Sequence, residues 1–198
     1  MKEIKKICVF CASSPKIDKK FFDDAELLGN EFLKHNIHVV YGGGGIGLMG
    51  KLADTMISGN GMITGIIPRF MREMEWSHSG ITEIIEVENM HERKKLMIKE
   101  ADAVVALPGG VGTLEELTEV ITLKQLGQFY APIIILNTDG YYNHLTGFLD
   151  KMIAESFMNT AHKDLWTVVE KPSEVIPAIL KSVPWDAGAI KFAAVKDK

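Results

Sequence analysis

Seven short apolar runs, separated by amphipathic stretches, constrain this chain more than any other feature. They cover residues 4–10, 38–41, 62–67, 81–87, 103–107, 133–137 and 166–169. Alternation of this kind is the pattern of a parallel sheet covered by helices. Between the first two runs Phe21, Ala25, Leu28 and Phe32 repeat at helical spacing, which makes that connection a crossover helix. Further helices are predicted over 48–58, closed by Gly59 at the C′ position, and over 90–100, with Asn89 as N-cap and Glu92 three residues on. The same reading gives helices over 113–126, ended by Gly127, over 141–156 and over 174–182. With 198 residues the chain fits one domain, 1–198. The expected fold class is α/β: a Rossmann-like, doubly wound parallel sheet of about seven strands with helices on both faces.

Composition narrows the partners. A formal net charge of −4 gives none of the dominant basic face that nucleic acid requires, so no polynucleotide partner is expected. Lys2, Glu3, Lys5 and Lys6 precede an apolar run too short for a signal sequence, and no apolar stretch approaches the roughly 20 residues of a membrane helix. A cytoplasmic protein without membrane association is the expectation. Cys8 and Cys11 stand at C-x-x-C spacing, which invites a redox or zinc reading. Residues three apart on a strand point to opposite faces, however, and redox pairs usually open a helix, so buried strand cysteines are the better reading. The six histidines, His91, His144 and His162 among them, show no ligand spacing. No metal and no cofactor are expected.

In open parallel sheets ligands bind at the carboxyl ends of strands, where the strand order changes direction. That directs attention to the loops 11–15, 42–47 and 108–112. The second contains G-x-G-x-x-G at Gly42, Gly44 and Gly47, after a strand and before a helix, a context suited to phosphate. A dinucleotide site also wants an acidic residue about 20 positions later for the ribose, and the run 62–67 supplies none. Residues 45–51 match most of a Walker A loop, but Leu52 stands where a magnesium-binding Ser or Thr belongs. A tight turn with no ligand is the competing account of these glycines.

The third loop, Leu107-Pro108-Gly109-Gly110-Val111-Gly112-Thr113-Leu114-Glu115-Glu116, places three glycines and a hydroxyl at a helix start. That suits an anion held by backbone N–H groups. Two carboxylates follow at once, which implies chemistry on something attached to the phosphate. Thr113 and Glu116 equally form a capping box, which needs no catalytic role; spacing alone leaves the two readings tied. Upstream, Met90-His91-Glu92-Arg93-Lys94 puts two cations into the first turns of a helix, against its dipole. Local conflicts of that kind mark functional sites, although Lys95, Lys99 and Glu100 make a solvated charged face the plain alternative.

Taken together, Met90-His91-Glu92-Arg93-Lys94 and Pro108-Gly109-Gly110-Val111-Gly112-Thr113-Leu114-Glu115-Glu116 resemble the M-H-x-R-K and P-G-G-x-G-T-x-x-E motifs of the LOG (LONELY GUY) family. The similarity extends to Phe10-Cys11-Ala12-Ser13-Ser14, to the loop 42–50 and to Thr122-Leu123-Lys124-Gln125-Leu126-Gly127, and so covers roughly residues 4–180. The resemblance implies a cytokinin riboside 5′-monophosphate phosphoribohydrolase, releasing an adenine-type base and ribose 5-phosphate, often active on AMP. It places the catalytic pair on Arg93 and Glu116. Substrate contacts fall on Ser13, Gly43, Gly44, Lys94, Gly109, Gly110, Val111, Gly112, Thr113, Leu114, Glu115 and Thr122. A family glutamate lands on Glu75, in a segment, 70–80, that departs from the plant pattern, and Ala12 stands where many relatives have Gly.

In that reading Glu116 stabilises positive charge developing on the sugar and activates water, while Arg93 orients by bidentate hydrogen bonding. The partner is a small nucleoside monophosphate, and the resemblance suggests a homodimer whose site could draw on both subunits. Members of the family have also been labelled lysine decarboxylases, but no residue here argues for the pyridoxal cofactor that reaction normally uses. A nucleotide-binding or molybdenum-cofactor carrier of similar fold is the alternative; it would need the phosphate cradle and not the acid.

Overall fold

The computed structural model describes residues 3–74, 76–81, 83–185 and 188–193. Seven strands, β1 (Lys6–Phe10), β2 (His38–Tyr41), β3 (Ile63–Pro68), β4 (Glu83–Val87), β5 (Ala103–Ala106), β6 (Ile133–Leu136) and β7 (Thr167–Val169), match the seven apolar runs to within two residues at each end. All pair in parallel, in the order β4-β3-β2-β1-β5-β6-β7. The helices are α1 (Lys19–Lys34), α2 (Gly47–Ser58), α3 (Arg69–Glu73), α4 (Met90–Ile98), α5 (Val111–Gln125), α6 (Asn143–Ala154) and α7 (Val175–Lys181).

Why a parallel sheet forms is visible in how its strands divide their side chains. Ile7, Val9, Val39, Val105 and Ile134 pack on one face against Leu28 and Phe32 of α1, Leu52 and Met56 of α2, and Val175 and Ile179 of α7. Their sequence neighbours Cys8, Val40, Val104 and Ile135 pack on the other face against Met97 of α4, Leu117 and Val120 of α5, and Leu149 of α6. Strands buried on both sides must be apolar throughout, which is why they appear in the sequence as runs and not as alternations. Cys8 and Cys11 fall into different face clusters and are both free and buried; Cys8 is a strand cysteine as expected, whereas Cys11 lies just past the end of β1.

Sequence signals at the helix ends were partly displaced. Asn89 does cap α4, its side chain accepting from the Glu92 amide, and Gly127 takes the left-handed conformation after α5, with φ +69°. At the end of α2 the left-handed residue is Asn60, φ +55°, while Gly59 keeps φ −90°. The helix expected over 141–156 begins at Asn143 instead, because Asp139 and Gly140 are both left-handed and turn the chain first. Helix α3 has only five residues, too few to leave a periodicity in the sequence.

The strand order reverses at β1, which lies between β2 and β5, so the crevice is flanked by the loops after β1, β2 and β5. Gly47 makes the approach of the first two loops feasible. Its φ is +64°, and a Cβ there would lie 2.5 Å from the backbone carbon of Ser13. The Ala12 carbonyl accepts from the amides of Leu48 (2.9 Å) and Met49 (3.3 Å) and so caps α2 with backbone. Gly47→Ala should therefore destabilise by about 2 kcal/mol or more, combining the left-handed penalty with displacement of Ser13. Urea unfolding checks this; a loss below about 0.5 kcal/mol would refute the account of the turn.

Candidate active site

Helix α5 supplies a terminus of the opposite kind. Its N-cap is Gly110, with no side-chain cap, so the first amides of the helix have neither an intrahelical nor a capping acceptor. A Cβ built on Gly110 or on Gly112 meets no protein atom within 4 Å. Protein packing thus does not require glycine at either position, and both line a cavity of about 560 Å³. Small residues and free N–H groups at the positive end of a helix dipole, facing open space, make an anion cradle. Gly109 differs, since its Cβ would collide with Thr113 Oγ1 at 2.1 Å.

Opposite the cradle the cavity is bounded by Cys11, Ala12 and Ser13 after β1, by Gly42 and Gly44 after β2, and by Met90, Arg93 and Met97 on α4. Burial pushes the Cys11 thiol well above its ordinary range, so it lines the cavity as a small apolar group. Arg93 is 7% exposed and spends its planar fork on three elements. Nε donates to the Ile66 carbonyl of β3 (3.1 Å), Nη1 to Glu116 Oε1 on α5 (3.0 Å), and Nη2 to the Gly42 carbonyl (3.3 Å). Gly42 is dictated by this contact, since a Cβ there would lie 2.1 Å from Arg93 Nη2. The cation that opposes the α4 dipole is therefore a buried, fully directed group, whereas Lys95 and Glu100 of the same stretch are exposed as a charged face would be.

Glu116 is also 7% exposed. Because α5 starts at Val111, Thr113 lies inside the first turn and is not its cap, which removes the capping-box account of Glu116. Burial pushes its carboxyl up to about 7, against the opposing pull of the Arg93 guanidinium. The folded state thus holds the proton longer than an exposed glutamate at 4.5 would; the resulting stabilisation is complete below 4.5 and is lost as pH rises through about 7. Oε1 is taken by Arg93, and among the described residues Oε2 has no hydrogen-bond partner.

The residues singled out from sequence separate into three groups. Ser13, Gly44, Arg93, Gly110, Val111, Gly112, Thr113 and Glu116 line the cavity together. Gly43 and Gly109 lie just behind its wall, Gly43 packing on Ile66 and Ile67. Lys94, Leu114, Glu115 and Thr122 do not line it: Lys94 pairs with Glu115 and with Glu119 (3.0 Å), and the exposed Thr122 donates to its own helix at Thr118. Glu75 lies outside the described residues. Sequence reasoning missed the apolar wall of Met49, Ile67, Met71, Trp76, Met90 and Met97. Met90 and Met97 stand three before and four after Arg93, and that helical spacing could have revealed them. Trp76 arrives on a segment that folds back on the glycine loop, with Gly45 N donating to the Trp76 carbonyl (3.0 Å) and His78 N to that of Gly43 (2.9 Å). Among the described residues no group of three or more His, Cys, Asp or Glu is placed to hold a metal.

Comparisons with known proteins find relatives in sequence and in fold. The family model described as "Possible lysine decarboxylase" covers residues 49–179. A cytokinin riboside 5′-monophosphate phosphoribohydrolase of Arabidopsis thaliana is 41% identical over 182 residues, 92% of this chain and 85% of the relative. Another from the same plant is 46% identical over 155 residues, 78% of this chain and 71% of the relative. Among solved structures, the molybdenum cofactor carrier protein of Chlamydomonas reinhardtii superposes with a TM-score of 0.69 at 17% identity, covering 90% of this chain and 97% of that one, a likeness of fold alone. By the extent and identity of these matches, the chain belongs to the LOG family of cytokinin riboside 5′-monophosphate phosphoribohydrolases.

Proposed function

We propose that this protein hydrolyses the N-glycosidic bond of adenosine 5′-monophosphates, including N6-modified ones, releasing the free base and ribose 5-phosphate. The observation that carries the reading is the buried Arg93–Glu116 pair placed directly beneath the uncapped start of α5. The amides of Gly110 to Thr113 would hold the 5′-phosphate. Glu116 lies one turn further, about 5 Å along the axis, so a substrate anchored at the helix terminus brings its sugar to the carboxylate. Positive charge on the sugar is stabilised by ionised Glu116, whose Oε2 accepts a proton from the attacking water. Arg93, by holding Oε1, fixes the carboxylate without neutralising it chemically.

The apolar wall of methionines and Trp76 would receive the base and its substituent. AMP as a substrate, a cytoplasmic setting, a single domain over the whole chain and a homodimer belong to the same proposal. Lys94, Glu115 and Thr122 stand outside the cavity, as fits a site completed by residues reaching over from a second subunit. No helix is long and apolar enough to cross a membrane among the described residues. The decarboxylase description fits poorly: a pyridoxal cofactor is carried on a lysine, and no described lysine lines the cavity. A carrier would use the cradle but has no need of a buried carboxylate held by one oxygen.

The direct test is incubation with AMP, isopentenyladenosine monophosphate and the two free ribosides, followed by chromatography for free base. Both monophosphates should be cleaved far faster than the ribosides; equal rates would contradict the phosphate cradle. Because the ionised carboxylate is the working form, kcat/KM should climb with pH up to about 7 and level off above it. In Glu116→Gln that limb should vanish and turnover should drop about a hundredfold or more; a variant that folds and keeps most of its activity would overturn the role. Arg93→Lys keeps the charge but loses at least one of three directed bonds, so turnover should fall strongly and stability by about 2–4 kcal/mol. Gly112→Ala should separate fold from function. A Cβ there touches no protein atom and favours the helix by about 0.5–1 kcal/mol, so the melting temperature should hold or rise while KM for the monophosphate increases sharply.

A further inference from the structure

The cradle works only if its peptide groups present N–H and not C=O to the cavity, and the structure shows what fixes that choice. Three consecutive carbonyls before α5 are each engaged on the protein side. Leu107 O accepts from the Tyr142 hydroxyl (2.7 Å), Pro108 O from the Ala12 amide (3.2 Å), and Gly109 O from the Tyr141 hydroxyl (2.7 Å). Pro108 has no N–H, so the Leu107 anchor fixes only the path of the chain; in the next two peptides, planar and trans, anchoring the carbonyl on one side turns the N–H of the following glycine to the other. The unit whose oxygen Tyr141 holds carries the N–H of Gly110, the cap position of α5.

Tyr141 is 46% exposed, yet its ring is oriented. Phe21 of α1 packs edge-on against it with centroids 5.7 Å apart, and Tyr142 does the same at 5.0 Å. The bend that delivers both tyrosines is built from left-handed Asp139 and Gly140, with Asn137 Oδ1 accepting from the Tyr142 amide (2.7 Å). An exposed phenol aimed at a backbone carbonyl of a glycine turn gains little for stability, since water could serve that carbonyl as well. What water would not do is hold the peptide in one orientation and polarise it, so that the N–H at its other end becomes a stronger donor.

Resting on the phosphate reading above, we propose that Tyr141 is a positioning residue for the substrate phosphate, acting through the Gly109–Gly110 peptide. Tyr141→Phe keeps the ring contacts and removes the hydroxyl alone. Its KM for AMP should rise about three- to tenfold, the worth of one ordinary hydrogen bond, with kcat changed less than about twofold. Competitive inhibition by inorganic phosphate should weaken by the same factor, and the melting temperature should stay within about 1 °C of the parent. Tyr130→Phe is the control, because Tyr130 donates to the Gly127 carbonyl at the far end of the same helix. A Tyr141→Phe enzyme with unchanged KM and unchanged phosphate inhibition would overturn the proposal, as would equal weakening in Tyr130→Phe. A parent enzyme that cleaves adenosine as well as AMP would instead remove the phosphate reading, and this proposal with it.

Discussion

Two opposite charges, Arg93 and Glu116, are withdrawn from water together, and much of the site is arranged around keeping them there. A lone buried ion is destabilising by several kcal/mol, and removing either partner leaves the other in that condition. The guanidinium accordingly takes a carbonyl from β3 and one from the glycine loop as well as the carboxylate. Three elements far apart in sequence are locked by one side chain. Gly42 lacks a side chain because the arginine occupies the space it would need. The same burial keeps Glu116 near neutral pH in its titration, where a carboxylate can both hold and release a proton.

The two glycine loops look alike as strings of letters and differ in physics. At 42–47 the glycines admit protein: Gly42 gives room to Arg93, Gly44 to Met49 and Gly47 to the 12–13 backbone, while the Ala12 carbonyl consumes the amides that open α2. At 109–112 the corresponding amides at the start of α5 have no capping side chain, and Gly110 and Gly112 border empty space. One terminus is closed by its own chain and the other faces the cavity.

Most of the architecture was legible because burial on both faces writes the inner strands, β5 and β6 most plainly, as apolar runs, and Asn89 and Gly127 punctuate their helices in the ordinary way. The Arg93–Glu116 pair was legible as a motif but not as a geometry. Whether Glu116 capped α5 depended on whether that helix began at Thr113 or two residues earlier, and periodicity does not resolve two residues. Met71 and Trp76 were hidden for a different reason: Met71 rides on the five-residue α3 and Trp76 is placed by backbone bonding to the glycine loop, neither of which leaves a trace in side-chain pattern. Tyr141 was read as helix although the turn dipeptide Asp139-Gly140 stands just before it; both residues are left-handed and delay the helix to Asn143.

The cavity has a stiff end and a pliable end. Arg93, Glu116 and the α5 terminus are cross-braced to the sheet, while the rest of the lining relies on Met49, Met71, Met90 and Met97, unbranched thioethers with several torsions each. Such a wall discriminates weakly by shape. On the proposed reading the two ends can change independently over evolutionary time: exchanging one methionine for another apolar residue would alter which bases fit and leave the Arg93–Glu116 pair untouched.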